Sequence, residues 1–229
     1  MKLRYILKYI KDYIRLGFNS DGNSKFAKTI LKKIKKGFYL DIGCYHPIKD
    51  SHTALLYKND WKGMNLDISK ESIEMFNIFR PKDINLNIGI STKNGYEKGY
   101  FEKNISTVSS LDKNYLAKCG RKNLIIRLLK VITLNKLRKK YKIEKVDFLK
   151  MDCESKDAAI IMNSSLKDLD CNYLCLELIP EKKAGLKIKK YNHKKTFFKT
   201  SVYKKIKKKF TLIENDGDTF LLKKNKFIL

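Results

Sequence analysis

The sequence predicts an α/β fold, a mostly parallel sheet closed by one reversed strand, and three observations carry that prediction. Strand and helix signals alternate from Phe38 onward, the chain finishes in a short hairpin, and acidic residues recur where strands stop. Phe38-Tyr39-Leu40-Asp41-Ile42 is a short apolar run ending at Gly43, the pattern of a strand covered on both faces. Met64-Asn65-Leu66-Asp67-Ile68 repeats it, with Ser69 as the N-cap of a helix that reaches Phe79 and stops before Pro81. Residues 84–90, 146–152 and 173–178 supply a third, fourth and fifth strand. Near the end, Phe210-Thr211-Leu212-Ile213 and Thr219-Phe220-Leu221-Leu222 flank Asn215-Asp216-Gly217-Asp218. A glycine-containing link this short predicts a hairpin, so the last strand runs antiparallel.

Ahead of this pattern lies a helical segment, residues 1–36, and residues 37–229 form the domain. Leu3, Leu7, Ile10 and Ile14 make one apolar stripe on a first helix, with Lys2, Arg4, Lys8, Lys11 and Arg15 beside it. Such a helix either rests on an anionic membrane, with Tyr5, Tyr9 and Tyr13 in the interfacial zone, or packs on the domain or a twin chain. Residues 18–23 read as a loop, and Ser24 caps a second helix carrying Phe26, Ile30, Leu31 and Ile34 that ends at Gly37. The stretch 91–145 is less regular. It holds a hairpin signal near 95–101, a Ser/Thr-rich loop at 106–110 and a helix around 134–141. A further helix is expected near 158–162, and Lys204–Lys209 is the charged end of another.

Composition narrows the function. Among 229 residues, 43% apolar and 11% aromatic content supports a buried core. No run of 18 apolar residues exists, and charges interrupt any secretory core near the N-terminus, so a cytoplasmic chain is expected. Five cysteines at 44, 119, 153, 171 and 175 lack the spacing of a zinc site or a disulfide framework, and 153, 171 and 175 read as buried thiols. The net charge of +27 raises nucleic acid as a partner, but only six of the 51 basic residues are arginine. A generally basic, solvated surface is the simpler reading.

The chemistry-bearing residues are the strand-end acids Asp41, Asp67, Asp152 and Glu177. In an open parallel sheet the ligand lies beyond the carboxyl ends of the strands, and an acid ending the second strand accepts hydrogen bonds from ribose hydroxyls. The turn Asp41-Ile42-Gly43-Cys44-Tyr45-His46-Pro47 has one glycine, a poor cradle for a pyrophosphate. A ligand with ribose and no phosphate suits it, and S-adenosylmethionine is one.

The succession Asp41-Ile42-Gly43, His46-Pro47-Ile48, Tyr57-Lys58, Trp61-Lys62-Gly63 and Asn65-Leu66-Asp67 resembles the FkbM family of methyltransferases. Residues 80–91 (Arg80-Pro81-Lys82-Asp83 through Ser91), Ile132-Thr133-Leu134-Asn135 and Val146-Asp147-Phe148-Leu149-Lys150-Met151-Asp152-Cys153-Glu154 continue the likeness. The resemblance implies a doubly wound, Rossmann-like class I methyltransferase with seven strands, acting on a hydroxyl of a sugar, glycan or natural product. It implies Asp41 and Gly43 at the methionine end of S-adenosylmethionine and Asp67 on the ribose. It places the adenine along Asn87, Gly89 and Ile90, and Asp152 and Glu154 toward the acceptor. Ser155 stands where the family usually has glycine.

In-line methyl transfer needs an aligned acceptor and a place for its proton. Asp152 is the first candidate as base or as ligand of a divalent metal near the acceptor, and His46 is the second. His52 and His193 read as surface residues, Trp61 and Tyr57 as core or cofactor wall. Two other classes remain open: an RNA methyltransferase, and a non-catalytic module of this fold at a membrane surface. A lipid-linked glycan acceptor would join the membrane-facing helix to the chemistry.

Overall fold

The computed structural model of the protein describes residues 2–16, 22, 25–104, 106, 108–178 and 192–226. Ser24, most of the loop at 18–23, and the rings of Tyr5 and Tyr13 lie outside the described residues. The chain begins with α1 (Lys2–Leu16) and α2 (Lys25–Leu31). The main sheet then opens with β1 (Phe38–Ile42), α3 (Ala54–Lys58), β2 (Lys62–Leu66), α4 (Lys70–Phe79) and β3 (Ile84–Leu86). Ser69 caps α4 as its sequence suggests, its hydroxyl accepting the Ser72 N–H at 3.1 Å.

A second, smaller sheet follows: β4 (Gly89–Ile90), β5 (Gly95–Phe101), β6 (Ser109–Ser110), α5 (Lys113–Lys118) and β7 (Ile125–Ile132). After α6 (Leu134–Lys140) the chain returns to the main sheet with β8 (Phe148–Met151), α7 (Asp157–Asn163) and β9 (Tyr173–Glu177). It finishes with α8 (His193–Lys199), α9 (Ser201–Ile206), β10 (Phe210–Asp216) and β11 (Thr219–Lys224).

The main sheet has seven strands in the order β10-β11-β9-β8-β1-β2-β3. The pairs among β3, β2, β1, β8 and β9 are parallel, while β11 runs antiparallel to both β9 and β10, so the sheet is mixed, with β11 the reversed strand. From β1 the chain first builds outward through β2 and β3, then returns to place β8 on the other side. The order therefore reverses between β1 and β8, and the crevice for a ligand opens at their carboxyl ends.

Two expectations change. The expected third strand, 84–90, is divided: β3 ends at Leu86, and β4 pairs with β7 in the second sheet. The hairpin signal near 95–101 is instead one strand, β5, which pairs antiparallel with β7 from Gly95↔Val131 to Phe101↔Ile125. That pairing joins residues some thirty positions apart, so no local turn chemistry announces it.

Side-chain alternation sends each central strand to two cores. Leu40, Ile42, Met64, Leu66, Leu149, Met151, Leu174 and Leu176 belong to one, and Tyr39, Phe148, Tyr173 and Cys175 to the other with Phe26, Ile30, Leu56 and Trp61. Trp61 is thus core, as expected, its Nε1 donating to the Lys35 carbonyl at 3.0 Å. The second core is interrupted by a polar network. Arg80, 2% exposed, donates to Thr53 Oγ1 at 2.8 Å, to Ser51 Oγ at 2.9 Å and to the Pro47 carbonyl. Thr53 in turn donates to Asp41 Oδ2 at 2.6 Å. The guanidinium also lies over the Phe76 ring, 4.9 Å from its centroid. One buried cation thereby ties α4, the loop after β1 and the end of β1 together. Arg80→Ala strands those acceptors without a donor and should lower unfolding free energy by about 3–5 kcal/mol, read from urea denaturation.

Candidate active site

A cavity of about 290 Å³ opens at the carboxyl ends of β1, β2 and β8, walled by Asp41, Gly43, Tyr45, His52, Asp67, Ile68, Ile88, Gly89, Ile90, Leu111, Lys150, Asp152, Glu154 and Glu177 among others. Strand register explains why the charged groups converge. Asp41 is the partner of Lys150 across β1 and β8, and Met151 is the partner of Leu176 across β8 and β9. The next residue on each of those last two strands is Asp152 and Glu177. An acid, a lysine and two more acids therefore stand side by side on one edge.

Lys150 is 5% exposed, and its Nζ lies 3.5 Å from Asp41 Oδ1, 3.3 Å from Asp152 Oδ2 and 2.5 Å from the Gly43 carbonyl that it donates to. Burial works to discharge it, but Asp152 and then Asp41 outweigh burial and hold its pKa well above the usual lysine value. Burial would also raise Asp152, yet Lys150 and a hydrogen bond from Glu177 keep it below the usual carboxylate range. Glu177 carries the cost: burial first, then the Asp152 charge, push it up to about 11, so it holds its proton at neutral pH. Burial and Asp152 raise Glu154 to about 7, while Tyr115 donates to its Oε2 at 2.7 Å. Asp67 is raised to about 6 by burial, although the Ser69 and Tyr45 N–H groups, at 2.7 and 2.8 Å, favour its charge.

Glycine at 43 is a geometric demand. Its φ is +74°, and a Cβ there would overlap the Asp152 carbonyl oxygen. The turn after β1 and the turn after β8 touch backbone to backbone at this point.

The cavity gathers eight residues singled out in the sequence: Asp41, Gly43, Asp67, Gly89, Ile90, Asp152, Glu154 and Glu177. Asn87 is exposed beside it, its Nδ2 donating to the Asp67 and Ile68 carbonyls at 2.9 and 3.0 Å, so it shapes the wall from behind. His46, the second candidate base, is fully buried behind the cavity and not on its wall. Its Nδ1 accepts the Ile48 and Lys49 N–H groups at 3.1 and 2.9 Å, its Nε2 is 3.2 Å from Asp12, and burial lowers its pKa to about 4. The reading of His52 changes as well. His52, expected at the surface, is 7% exposed, stacked on Phe26 and part of the cavity wall, with an Nδ1 that makes no hydrogen bond. His193 is half-buried against Asp218 at 2.7 Å. Lys150 was missed, though a lysine inside the apolar run Phe148-Leu149-Lys150-Met151 is itself a signal, since lysine enters a core only with partners.

Among the described residues, Asp152, Glu154 and Glu177 bring one carboxylate oxygen each within 4.8 Å of the others, a spacing that a divalent cation could bridge. Lys150 already supplies a positive charge at that place.

Residues 41–198 match the FkbM methyltransferase domain. The chain belongs to the FkbM methyltransferase family. The matched stretch contains every residue of the cavity wall and leaves α1 and α2 outside it. No match was found among curated proteins. In this methyltransferase the loop after β8 carries a strained serine at the position where the resemblance implies glycine. Glu154 and Ser155 both have positive φ, +47° and +82°, and the Ser155 hydroxyl is buried without a partner. A glycine at 155 would remove the strain at that residue and the orphaned hydroxyl, leaving Glu154 as it is. Ser155→Gly should raise stability by about 1 kcal/mol in urea denaturation; an unchanged or lower midpoint would show that the serine is accommodated.

Proposed function

We propose that the protein transfers a methyl group from S-adenosylmethionine to a hydroxyl oxygen of a sugar, glycan or small natural product. The observation that carries this reading is the sign of the cavity. In a chain of net charge +27, the wall carries Asp41, Asp50, Asp67, Asp152 and Glu154, beside a protonated Glu177, against one lysine and no arginine among the described residues. A ligand bearing ammonium and sulfonium charges is complementary to such a wall, and a phosphate is repelled by it. The same sign weighs against RNA as the acceptor, whose phosphodiesters would have to approach that mouth.

Within this reading, Asp41 faces the amino acid end, where its buried Oδ1 makes no hydrogen bond of its own. Asp67 accepts from the ribose hydroxyls, and Ile68, Ile88 and Ile90 form an apolar slot for the base. When bound, the cofactor supplies an already activated methyl group. The chain's own residues then need only align an acceptor oxygen and receive its proton as the carbon–oxygen bond forms. Asp152, kept ionised by Lys150, accepts a hydrogen bond from the hydroxyl and orients it. Glu154, with a pKa near 7, is matched to take the proton.

Calorimetry tests the cofactor half: Asp67→Ala should weaken S-adenosylmethionine binding by about 1–3 kcal/mol, and equal affinities would remove Asp67 from the site. Labelled S-adenosylmethionine incubated with host glycan, lipid-linked glycan and RNA fractions tests the acceptor. Label should enter glycan, at a rate that rises with pH through about 7 as Glu154 loses its proton. Asp152→Asn should leave cofactor affinity within a few-fold while cutting the rate on the order of 10²-fold. Persistence of activity in a chelator assigns Asp152 to the acceptor without a metal.

A further inference from the structure

Helix α1 is mounted on the domain with its amphipathic face reversed. An amphipathic helix on a globular body ordinarily turns its apolar stripe inward. Here Leu3, Leu7, Ile10 and Ile14 point out, 67%, 57%, 45% and 60% exposed. The inward side is polar and aromatic. Asp12, 7% exposed, lies 3.2 Å from His46 Nε2 and 3.0 Å from Lys8 Nζ, and Tyr9 stacks on Phe79 of α4 and on His46. Of the two possibilities left open for this stripe, packing on its own domain is therefore not what the fold adopts.

The outward stripe has a charged flank. Arg4, Lys8, Lys11 and Arg15 each directly follow one of the four apolar residues, so the cations run along one side of the stripe. Arg4, Lys11 and Arg15 are exposed. A partner for this surface must offer apolar depth and negative charge together, in adjacent strips. We propose that α1 docks on the surface of an anionic lipid bilayer, its stripe in the interfacial layer and its cations on the headgroups. Helix α1 lies in that layer without crossing it, since no helix among the described residues is long and apolar enough to span. A second copy of the chain is a poorer fit: two stripes face to face would bring like-charged flanks together on two bodies that each carry +27.

Sedimentation of the full chain with lipid vesicles decides the matter. The wild type should partition onto phosphatidylcholine vesicles containing phosphatidylglycerol, weakly onto phosphatidylcholine alone, and less as salt rises. The variant Leu3→Gln, Leu7→Gln, Ile10→Gln, Ile14→Gln keeps every charge and the helix propensity, and should lose partitioning on the order of tenfold at an unchanged melting temperature. A separate reporter, Leu7→Trp, should shift its fluorescence to the blue only with anionic vesicles. Equal partitioning of wild type and the glutamine variant would overturn the proposal, since the charge of the whole body would then suffice. So would an absence of preference for anionic vesicles, a large fall in the variant's melting temperature, or a wild-type dimer that the glutamine substitutions separate.

Discussion

A lysine ammonium with almost no access to water holds the active end of the sheet together. Lys150 enters the fold on the central strand β8, where an unpartnered charge would cost more than a small domain's whole stability. Asp41 on β1, Asp152 at the end of β8 and the carbonyl of Gly43 meet it, so the ends of two strands and both following turns converge on one cation. Asp152 is held ionised, burial and then its charge raise Glu177 and Glu154, and the wall as a whole keeps a graded set of carboxylates. Replacing the lysine by an apolar residue would turn the same wall into a cluster of mutually repelling acids.

Around that cation the two faces of the sheet differ in kind. One core is almost wholly apolar, and the other is threaded by Arg80, Thr53, Asp41, Tyr39, Asp83 and Asn65. Networks of this sort tolerate little rearrangement. The loop from His46 to Thr53 owes its shape to this arrangement: Arg80 gathers it from below, while His46 accepts two of its backbone N–H groups. This side of the cavity wall is thus shaped by Arg80 and His46, neither of which lines it.

Much of this was legible before the structure. The apolar runs that became β1, β2, β8 and β9 stand out because a doubly covered strand tolerates few charges, and their terminal acids stand out for the same reason. The closing hairpin was readable from its turn. What escaped were features set by distant pairing. β7 is half exposed and mixes Arg127 and Lys130 among aliphatics, so it shows no clear period, and its partner β5 lies about thirty residues away. The ion pair of Asp41 with Lys150 depends on a register between strands more than a hundred residues apart. The roles of His46 and His52 depend on how Arg80 folds a loop, and nothing within a few residues of either histidine reveals which of them faces the cavity.

The contact of Gly43 with the backbone of Asp152 has a mechanical meaning. Where two peptide segments meet with no side chain between them, neither can shift without the other. The turns after β1 and β8, which the proposed function gives to the methyl donor and to the acceptor, therefore behave as one part, and their spacing is fixed by backbone, not by rotamers. On that reading a substitution at one turn is felt as an altered alignment at the other, so that donor affinity and acceptor choice change together.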